Sequence, residues 1–208
     1  MSAFYLDLGF SLDEIAGVRK VFGALASVVG VFIGGLAVAR FGVMRSLVVG
    51  AFALPITNTI FGWLAVQGPQ LNALIIAIGV DNIVSAYAGT CLIAYMSSLT
   101  GVGFTATQYA LFSSLYSLPG KIIASQSGRI VESAARSIDA GGPLASLRAL
   151  FVHTPPAAFA GAMAKSHVSP DSLGAGYVVF FLYSGLVGVL AMVLTAIVAR
   201  FPAKESAA

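Results

Sequence analysis

The candidates for chemistry in this sequence are ionisable side chains inside long apolar runs. Asp81 lies about ten residues into such a run, near the level of a bilayer midplane, where a charge costs at least ~2.5 kcal/mol and usually faces a water-filled cavity or a partner. Lys121 is the cation expected at a matching depth, counting ~1.5 Å of rise per helical residue. The pair is either a proton-coupling carboxylate with its counter-charge or a structural ion pair that fixes two helices, and the sequence leaves both interpretations open.

A set of polar residues accompanies Asp81 in the apolar runs. Their amide, hydroxyl and phenol groups are suited to hydrogen-bonding a sugar or a peptide along a hydrated path, which makes them candidates for lining a substrate cavity. The alternative is that they hydrogen-bond from helix to helix, at ~0.6 to 2 kcal/mol each. The candidates are Asn82, Tyr87, Gln108, Tyr109, Ser113 and Tyr116.

Signatures of enzymes and of cofactor sites are missing from the sequence. It has no phosphate-binding glycine loop with a lysine, no nucleophile elbow and no cysteine and histidine spacing that suits a metal. His153 and His167 lie in a polar segment without obvious partners, and the single cysteine, Cys91, lies in an apolar run where packing is its expected role. We therefore expect no enzymatic activity, no cofactor and no metal site.

Composition indicates that the elements positioning these residues are membrane-spanning helices. Of the 208 residues, 58% are apolar and only 9% are charged, whereas a soluble domain is about a quarter charged. The net charge of +3 is too small and too scattered for nucleic-acid binding, which needs a basic patch or stripe. The expected solvent is membrane lipid, and the expected fold class is an all-α, polytopic integral membrane bundle.

Uncharged runs of ~20 residues or more can cross a bilayer as helices, and they predict about five spans. The fourth is expected to kink at Pro119-Gly120, and the fifth is apolar enough to face lipid. The spacing Gly30-x-x-x-Gly34 in the first predicts close packing against another helix. The predicted spans are residues 15–39, 46–66, 71–98, 104–132 and 175–199.

These spans divide the chain into predicted segments. Four transmembrane helices occupy residues 15–132, an extramembrane loop follows at 133–174, the last transmembrane helix is 175–199, and a tail follows at 200–208. Basic residues in short connections favour the cytoplasm, so Arg40, Arg45, Arg200 and Lys204 place the first connection and the tail on the cytoplasmic side. The amino terminus and the long loop then lie outside, and residues 1–14 are interpreted as the outer end of a missing helix and its loop.

Two sets of residues resemble known transporters. The first resembles the glycine-and-arginine loop of major facilitator superfamily carriers, with Ala37-Val38-Ala39 standing where an acidic residue often precedes the first arginine; its residues are Gly34, Gly35, Arg40, Gly42 and Arg45. The second comprises FYLDLGF at residues 4–10 with Glu14, GFTATQYALFSSL at 103–115, and Ser127-Gly128. This set is similar to the carboxyl-terminal half of AmpG-type muropeptide permeases, which are related to acetyl-CoA transporters.

The resemblance implies a function as well as a fold. It implies a twelve-helix, proton-coupled symporter in the inner membrane of a Gram-negative bacterium, which imports anhydromuropeptides for peptidoglycan recycling. The chain would then supply helices eight to twelve, and its partners would be the amino-terminal half of the transporter, the anhydromuropeptide, protons and lipid. Two other classes stay open on the residues alone, namely a small channel or accessory membrane subunit, and a membrane-embedded enzyme.

Overall fold

A computed structural model describes residues 2–99 and 105–200 of the chain. It is 85% helical, with no β-strand among the described residues. The short helix α1 (Ser2–Leu8) is followed by α2 (Leu12–Val18), which continues through a π-helical turn (Arg19–Gly23) into α3 (Ala24–Phe41). The remaining helices are α4 (Val43–Gln67), α5 (Leu71–Ser98), α6 (Thr105–Asp139), α7 (Ala162–Ser166) and α8 (Pro170–Val198).

Four stretches of helix are long and apolar enough to cross a membrane. They are Leu12–Phe41, Val43–Gln67, Leu71–Ser98 and Pro170–Ile197. The expected all-α, polytopic membrane bundle is therefore confirmed, and the chain is a multi-pass membrane protein. The predicted fourth span differs from the other four. It corresponds to α6, which is 35 residues long but has so many hydroxyl and charged side chains that it is less apolar than the four helices above.

The helix boundaries shorten the loop that was predicted at residues 133–174. Helix α6 continues to Asp139, where Glu132 and Arg136 form an i,i+4 ion pair at 3.3 Å, and it runs without interruption through Pro119. Helix α8 begins at Pro170, five residues before the predicted span, with Ser169 as its N-cap, and Asp139 Oδ1 accepts hydrogen bonds from the main chain and hydroxyl of Ser169. The connecting segment is thus residues 140–169, and it contains a 3-10 turn (Ala145–Phe151) and α7.

Close helix packing depends on small residues. A methyl group placed on Gly30 of α3 would collide with the carbonyl oxygen of Ile83 on α5, and one on Gly34 would lie 3.1 Å from the carbonyl oxygen of Tyr87. One on Gly50 of α4 would lie 3.1 Å from the Cα of Ala88. Consequently α3 and α4 both pack tightly on α5, as the glycine spacing in the first span predicts. Helix α8 packs on α4 and α6, whereas α5 and α6 barely touch.

The hydrophobic core is concentrated at the end of the bundle where α1 and the 140–169 segment lie. Phe4 of α1 packs against Tyr177 and Phe181 of α8, with ring centroids 4.9 and 5.0 Å away, and Phe61 of α4 stacks on Phe181. Phe159 of the connecting segment stacks on Tyr177. These buried rings join α1, α4, α8 and the connecting segment into one packed end. Away from it, α8 exposes a long run of aliphatic side chains, in keeping with the prediction that this span faces lipid.

Candidate functional site

Asp81 lies on α5, in the half of the bundle closer to α1. It is half-buried, and its carboxylate is within hydrogen-bonding reach of the buried Thr57 hydroxyl on α4. The guanidinium of Arg19, at the start of the π-helical turn, is close enough to stabilise its negative charge electrostatically. The carboxylate therefore lies near polar groups of both α4 and the first long helix.

Tyr5 of α1 shares this environment. Burial raises the pKa of Tyr5 to about 12; the negative charge of Asp81 adds to the rise, and the positive charge of Arg19 opposes it. The phenol is thus electrostatically coupled to both charges. We call Tyr5, Arg19, Thr57 and Asp81 the Asp81 cluster, and its members come from α1, the π-helical turn, α4 and α5.

The π-helical turn and the residues below it set the position of Arg19 relative to α5. Such turns insert an extra residue into a helix and are frequent at functional sites. Just below the turn, the Ser27 hydroxyl lies 3.1 Å from Oδ1 of Asn82 and 2.9 Å from the carbonyl oxygen of Gly23, and Nδ2 of Asn82 donates to the carbonyl oxygen of Ile78 at 2.8 Å. Asn82 thus holds α3 against α5 one residue away from Asp81.

Lys121 does not take the position expected for the partner of Asp81. Its side chain is exposed on α6, and among the described residues no ion pair joins it to Asp81. The two helices that carry these residues have little contact with each other, so equal depth does not bring the charges together. Arg19 instead supplies the cationic neighbour of Asp81.

The other predicted cavity residues divide into two groups. Tyr87 packs between α3 and α4, and its hydroxyl donates to the carbonyl oxygen of Ser46 at 3.2 Å, so Asn82 and Tyr87 both make contacts between helices. On α6, Gln108 and Tyr109 are half-buried and Ser113 is exposed. Tyr116 lies in the same helix, with its side chain outside the described part of the structure.

The glycine-and-arginine motif forms the tight connection between α3 and α4. Gly42 has a φ of +84°, a left-handed conformation that favours glycine, and it ends α3 and precedes α4. Arg40 and Arg45 are exposed on either side of it. Gly34 is buried against α5, whereas Gly35 faces open space.

A cavity of about 590 Å³ lies between α1, α6 and α8. Its polar lining consists of Asp7, Ser127, Glu132, Tyr177 and Ser184, with Ser166 from α7, and the rest is apolar. None of the residues predicted from the sequence as site residues lines it in the described part of the chain. This cavity and the Asp81 cluster are therefore separate features.

The sequence did not predict the cationic neighbour of Asp81 or the side-chain contacts that hold α1, α6, α7 and α8 together at the α1 end of the bundle. Arg19 could have been found from the sequence, because it lies seven residues after the start of the first long helix at Leu12, while Asp81 lies ten residues after the start of α5 at Leu71. No sequence pattern indicated the contacts of Asp7 with Lys165 and Tyr177, since they join segments that are remote in sequence. The same is true of Asp139, whose pKa is lowered by hydrogen bonds from Ser169 and Ser172.

Comparisons with known proteins support the resemblance seen in the sequence. The chain is 38% identical over 130 residues to the Rickettsia conorii protein named "Putative transporter AmpG 4", and 37% identical over 130 residues to its namesake from Rickettsia felis. It is also 37% identical over 124 residues to the Rickettsia typhi protein named "Putative transporter AmpG 3". No family profile matches the chain, and no solved structure does.

These matches cover more than half of this chain but only about a third of each relative. They cover 62% of this chain for the first two relatives and 60% for the third, but only 31% and 30% of the relatives themselves. The similarity to AmpG-type proteins is thereby confirmed for the greater part of the chain. The chain spans about a third of the length of these relatives.

Proposed function

We propose that this chain forms part of a proton-coupled secondary transporter of the AmpG type, which imports anhydromuropeptides across the bacterial inner membrane for peptidoglycan recycling. The observation that carries the proposal is the 38% identity over 130 residues to a protein named as a transporter. The four apolar helices fit this function, because a carrier must be embedded in the bilayer. In this proposal the chain is part of a carrier and not an enzyme.

The Asp81 cluster supports the proton-coupled part of the proposal. A carboxylate that loses its charge on protonation no longer attracts Arg19, so proton binding weakens the tie between the first long helix and α5. Because the attraction between these two helices depends on one proton, a proton gradient can shift the equilibrium between two arrangements of the helices. In this proposal Asp81 is the proton-coupling residue, and Lys121 contributes a cation on the substrate path.

The exposed polar face of α6 supports the partnership with an amino-terminal half. Ser113, Ser114, Lys121 and Ser125 are all exposed on this helix, and lipid is an unfavourable neighbour for hydroxyl and ammonium groups. A second bundle that faces α6 across a hydrated path would solvate them. Gln108, Tyr109, Ser113 and Tyr116 then line the half of the substrate path that this chain supplies, while Asn82 and Tyr87 position α5 beside it.

Uptake by reconstituted vesicles tests the proposal. The chain is incorporated into proteoliposomes together with the amino-terminal half of the Rickettsia conorii relative, and uptake of labelled anhydromuropeptide is followed with and without an imposed pH gradient. We expect uptake only when both halves are present and only with the gradient. Asp81→Asn should abolish the response to the gradient, whereas Asp13→Asn, a control at the exposed start of α2, should not.

Other outcomes would contradict the proposal. Anhydromuropeptide uptake by this chain alone would exclude the need for a second half. Uptake that is insensitive to the gradient, or an unchanged response in Asp81→Asn, would exclude coupling through this carboxylate. A steady ion conductance in planar bilayers without any substrate requirement would favour the small-channel alternative.

A further inference from the structure

Three arginines lie at the end of the bundle opposite α1. Arg40 and Arg45 flank the turn between α3 and α4. The antiparallel packing of α4 and α8 brings Arg200 to a similar level, since Gly188 of α8 lies against Pro55 of α4. From this contact Arg45 is ten residues away along α4 and Arg200 is twelve residues away along the chain of α8, or roughly 15 to 18 Å in each case. We call Arg40, Arg45 and Arg200 the inner arginine cluster.

The inner arginine cluster has no carboxylate near it among the described residues. Apart from Asp81 in mid-helix, each acidic side chain in the described ranges lies on α1, at the start of α2 or α8, or towards the end of α6, all at the other end of the bundle. They are Asp7, Asp13, Glu14, Glu132, Asp139 and Asp171. The three arginines also form no ion pair within the described part of the chain. Their positive charge is therefore uncompensated by the described residues at this face.

Each of two arginines continues an apolar stripe along its helix. On α4, exposed Val49, Phe52 and Ile56 follow Arg45 at spacings of four, seven and eleven residues, which places all four on one helix face. The exposed residues of α8 show the same pattern: Leu186, Leu190, Val193 and Ile197 lead along one face to Arg200. Because α4 and α8 pack side by side, the two stripes form one apolar surface that ends in two guanidinium groups.

This surface matches the chemistry of a phospholipid with a negatively charged headgroup. Acyl chains pack on aliphatic side chains, and guanidinium groups hydrogen-bond phosphate oxygens in a two-pronged geometry that ammonium groups lack. Basic pockets between transmembrane helices are known to hold acidic headgroups. We propose that an anionic phospholipid of the leaflet next to the α3–α4 turn binds along α4 and α8, with its phosphate held by Arg45 and Arg200 and with Arg40 contributing from α3.

The proposal is independent of the transport function, because it rests only on the charges and the exposed apolar surface at one membrane face. It commits to a lipid and not to a free phosphate ion. A free ion would be attracted by the arginines, but it would gain nothing from the apolar stripes of α4 and α8. A lipid should therefore bind through both its headgroup charge and its acyl chains, whereas a free phosphate ion should bind through charge alone.

Fluorescence quenching by brominated lipid gives a direct test. Trp63 is the single tryptophan, so Trp63→Phe combined with Val49→Trp places the only indole one helical turn from Arg45. The protein is reconstituted into nanodiscs that contain brominated phosphatidylglycerol or brominated phosphatidylcholine in an unbrominated background. We expect stronger quenching by phosphatidylglycerol, and about a fivefold loss of the preference for each arginine removed by Arg45→Gln or Arg200→Gln, from ~1 kcal/mol per basic residue at an anionic surface.

Matched variants separate charge, position and folding. Arg45→Lys with Arg200→Lys keeps the charge and should retain a preference for phosphatidylglycerol. Arg129→Gln with Arg148→Gln removes two charges from the other end of the bundle and should leave the preference unchanged. Circular dichroism with unchanged helicity shows that each variant is folded.

Three results would overturn the proposal. The first is equal quenching by the two lipids in the reporter protein, and the second is an equal loss in the Arg129→Gln, Arg148→Gln control. The third is abolition of the preference by millimolar inorganic phosphate, which would show that the arginines bind a free ion. A preference that survives phosphate and disappears in Arg45→Gln with Arg200→Gln supports the lipid site.

Discussion

The hydroxyl of Tyr177 on α8 donates a hydrogen bond of 2.7 Å to Oδ2 of Asp7 on α1, while Oδ1 of the same carboxylate pairs with Nζ of Lys165 at 2.6 Å. One acidic side chain thus ties α1 to α8 and to α7. The two contacts differ in environment, because Lys165 is 63% exposed whereas Tyr177 is 8% exposed. A buried hydrogen bond to a charged group is the stronger of the two.

The first prediction follows from this difference. Asp7→Ala should lower the free energy of unfolding by about 2 kcal/mol, since it leaves a buried phenol without its acceptor. Lys165→Ala should lower it by less than ~1 kcal/mol, because an exposed ion pair is weak. Unfolding in mixed detergent micelles, followed by circular dichroism, measures both; equal effects of the two substitutions would contradict the assignment.

The second prediction concerns the partner of Asp81. If Arg19 and not Lys121 stabilises this carboxylate, Asp81→Asn and Arg19→Gln should be non-additive, with a coupling of at least ~0.5 kcal/mol in a double-mutant cycle of unfolding free energies. Asp81→Asn and Lys121→Gln should be additive. Coupling of Asp81 to Lys121 alone would restore the partner expected from helix depth.

The third prediction uses two glycines of the same helix. Gly30→Ala should destabilise the protein by about 1 to 3 kcal/mol, because the new methyl group collides with the α5 backbone at Ile83. Gly35 has open space around it, so Gly35→Ala should stabilise the helix by up to ~1 kcal/mol through its better helix propensity. Opposite signs in the unfolding measurement are the expected outcome, and destabilisation of equal size at both positions would contradict the packing of α3 on α5.

The fourth prediction is a pH dependence at the joint between α6 and α8. Hydrogen bonds from Ser169 and Ser172 hold the pKa of Asp139 below its usual value, so the ionised form stabilises the folded state. This stabilisation is complete above the unfolded pKa of about 4 and is lost as the pH falls through the lower folded value. The difference in thermal midpoint between the natural chain and Asp139→Asn should therefore be constant above about pH 5 and shrink below pH 4.

The control for this prediction is Asp171→Asn. Asp171 is exposed in the first turn of α8, and it takes no part in the three hydrogen bonds that join Asp139 to Ser169 and Ser172. It should not reproduce the acid-sensitive difference. A difference between the natural chain and Asp139→Asn that stays the same from pH 3 to pH 7 would show that the three hydrogen bonds do not depend on the ionised carboxylate.

Much of the fold followed from local sequence properties. Runs of apolar residues revealed the spans, because the length that crosses a bilayer and the cost of a charge inside it are both read along one chain segment. The spacing of Gly30 and Gly34 likewise revealed a closely packed helix face. The end of α6 at Asp139 was missed, since the segment after residue 132 has a composition typical of a loop, and α8 begins at Pro170, five residues before the predicted span.

The sequence by itself determined that Asp81 is a costly charge within an apolar helix, and at what depth it lies. Only the tertiary structure decided that Arg19 is its neighbour, that Lys121 points elsewhere, and that Asp7 joins three helices. The physical reason is that position along a helix gives depth, a single coordinate. The lateral arrangement that brings two charges together depends on which helix faces interlock, and here the small residues of α3, α4 and α8 set that arrangement.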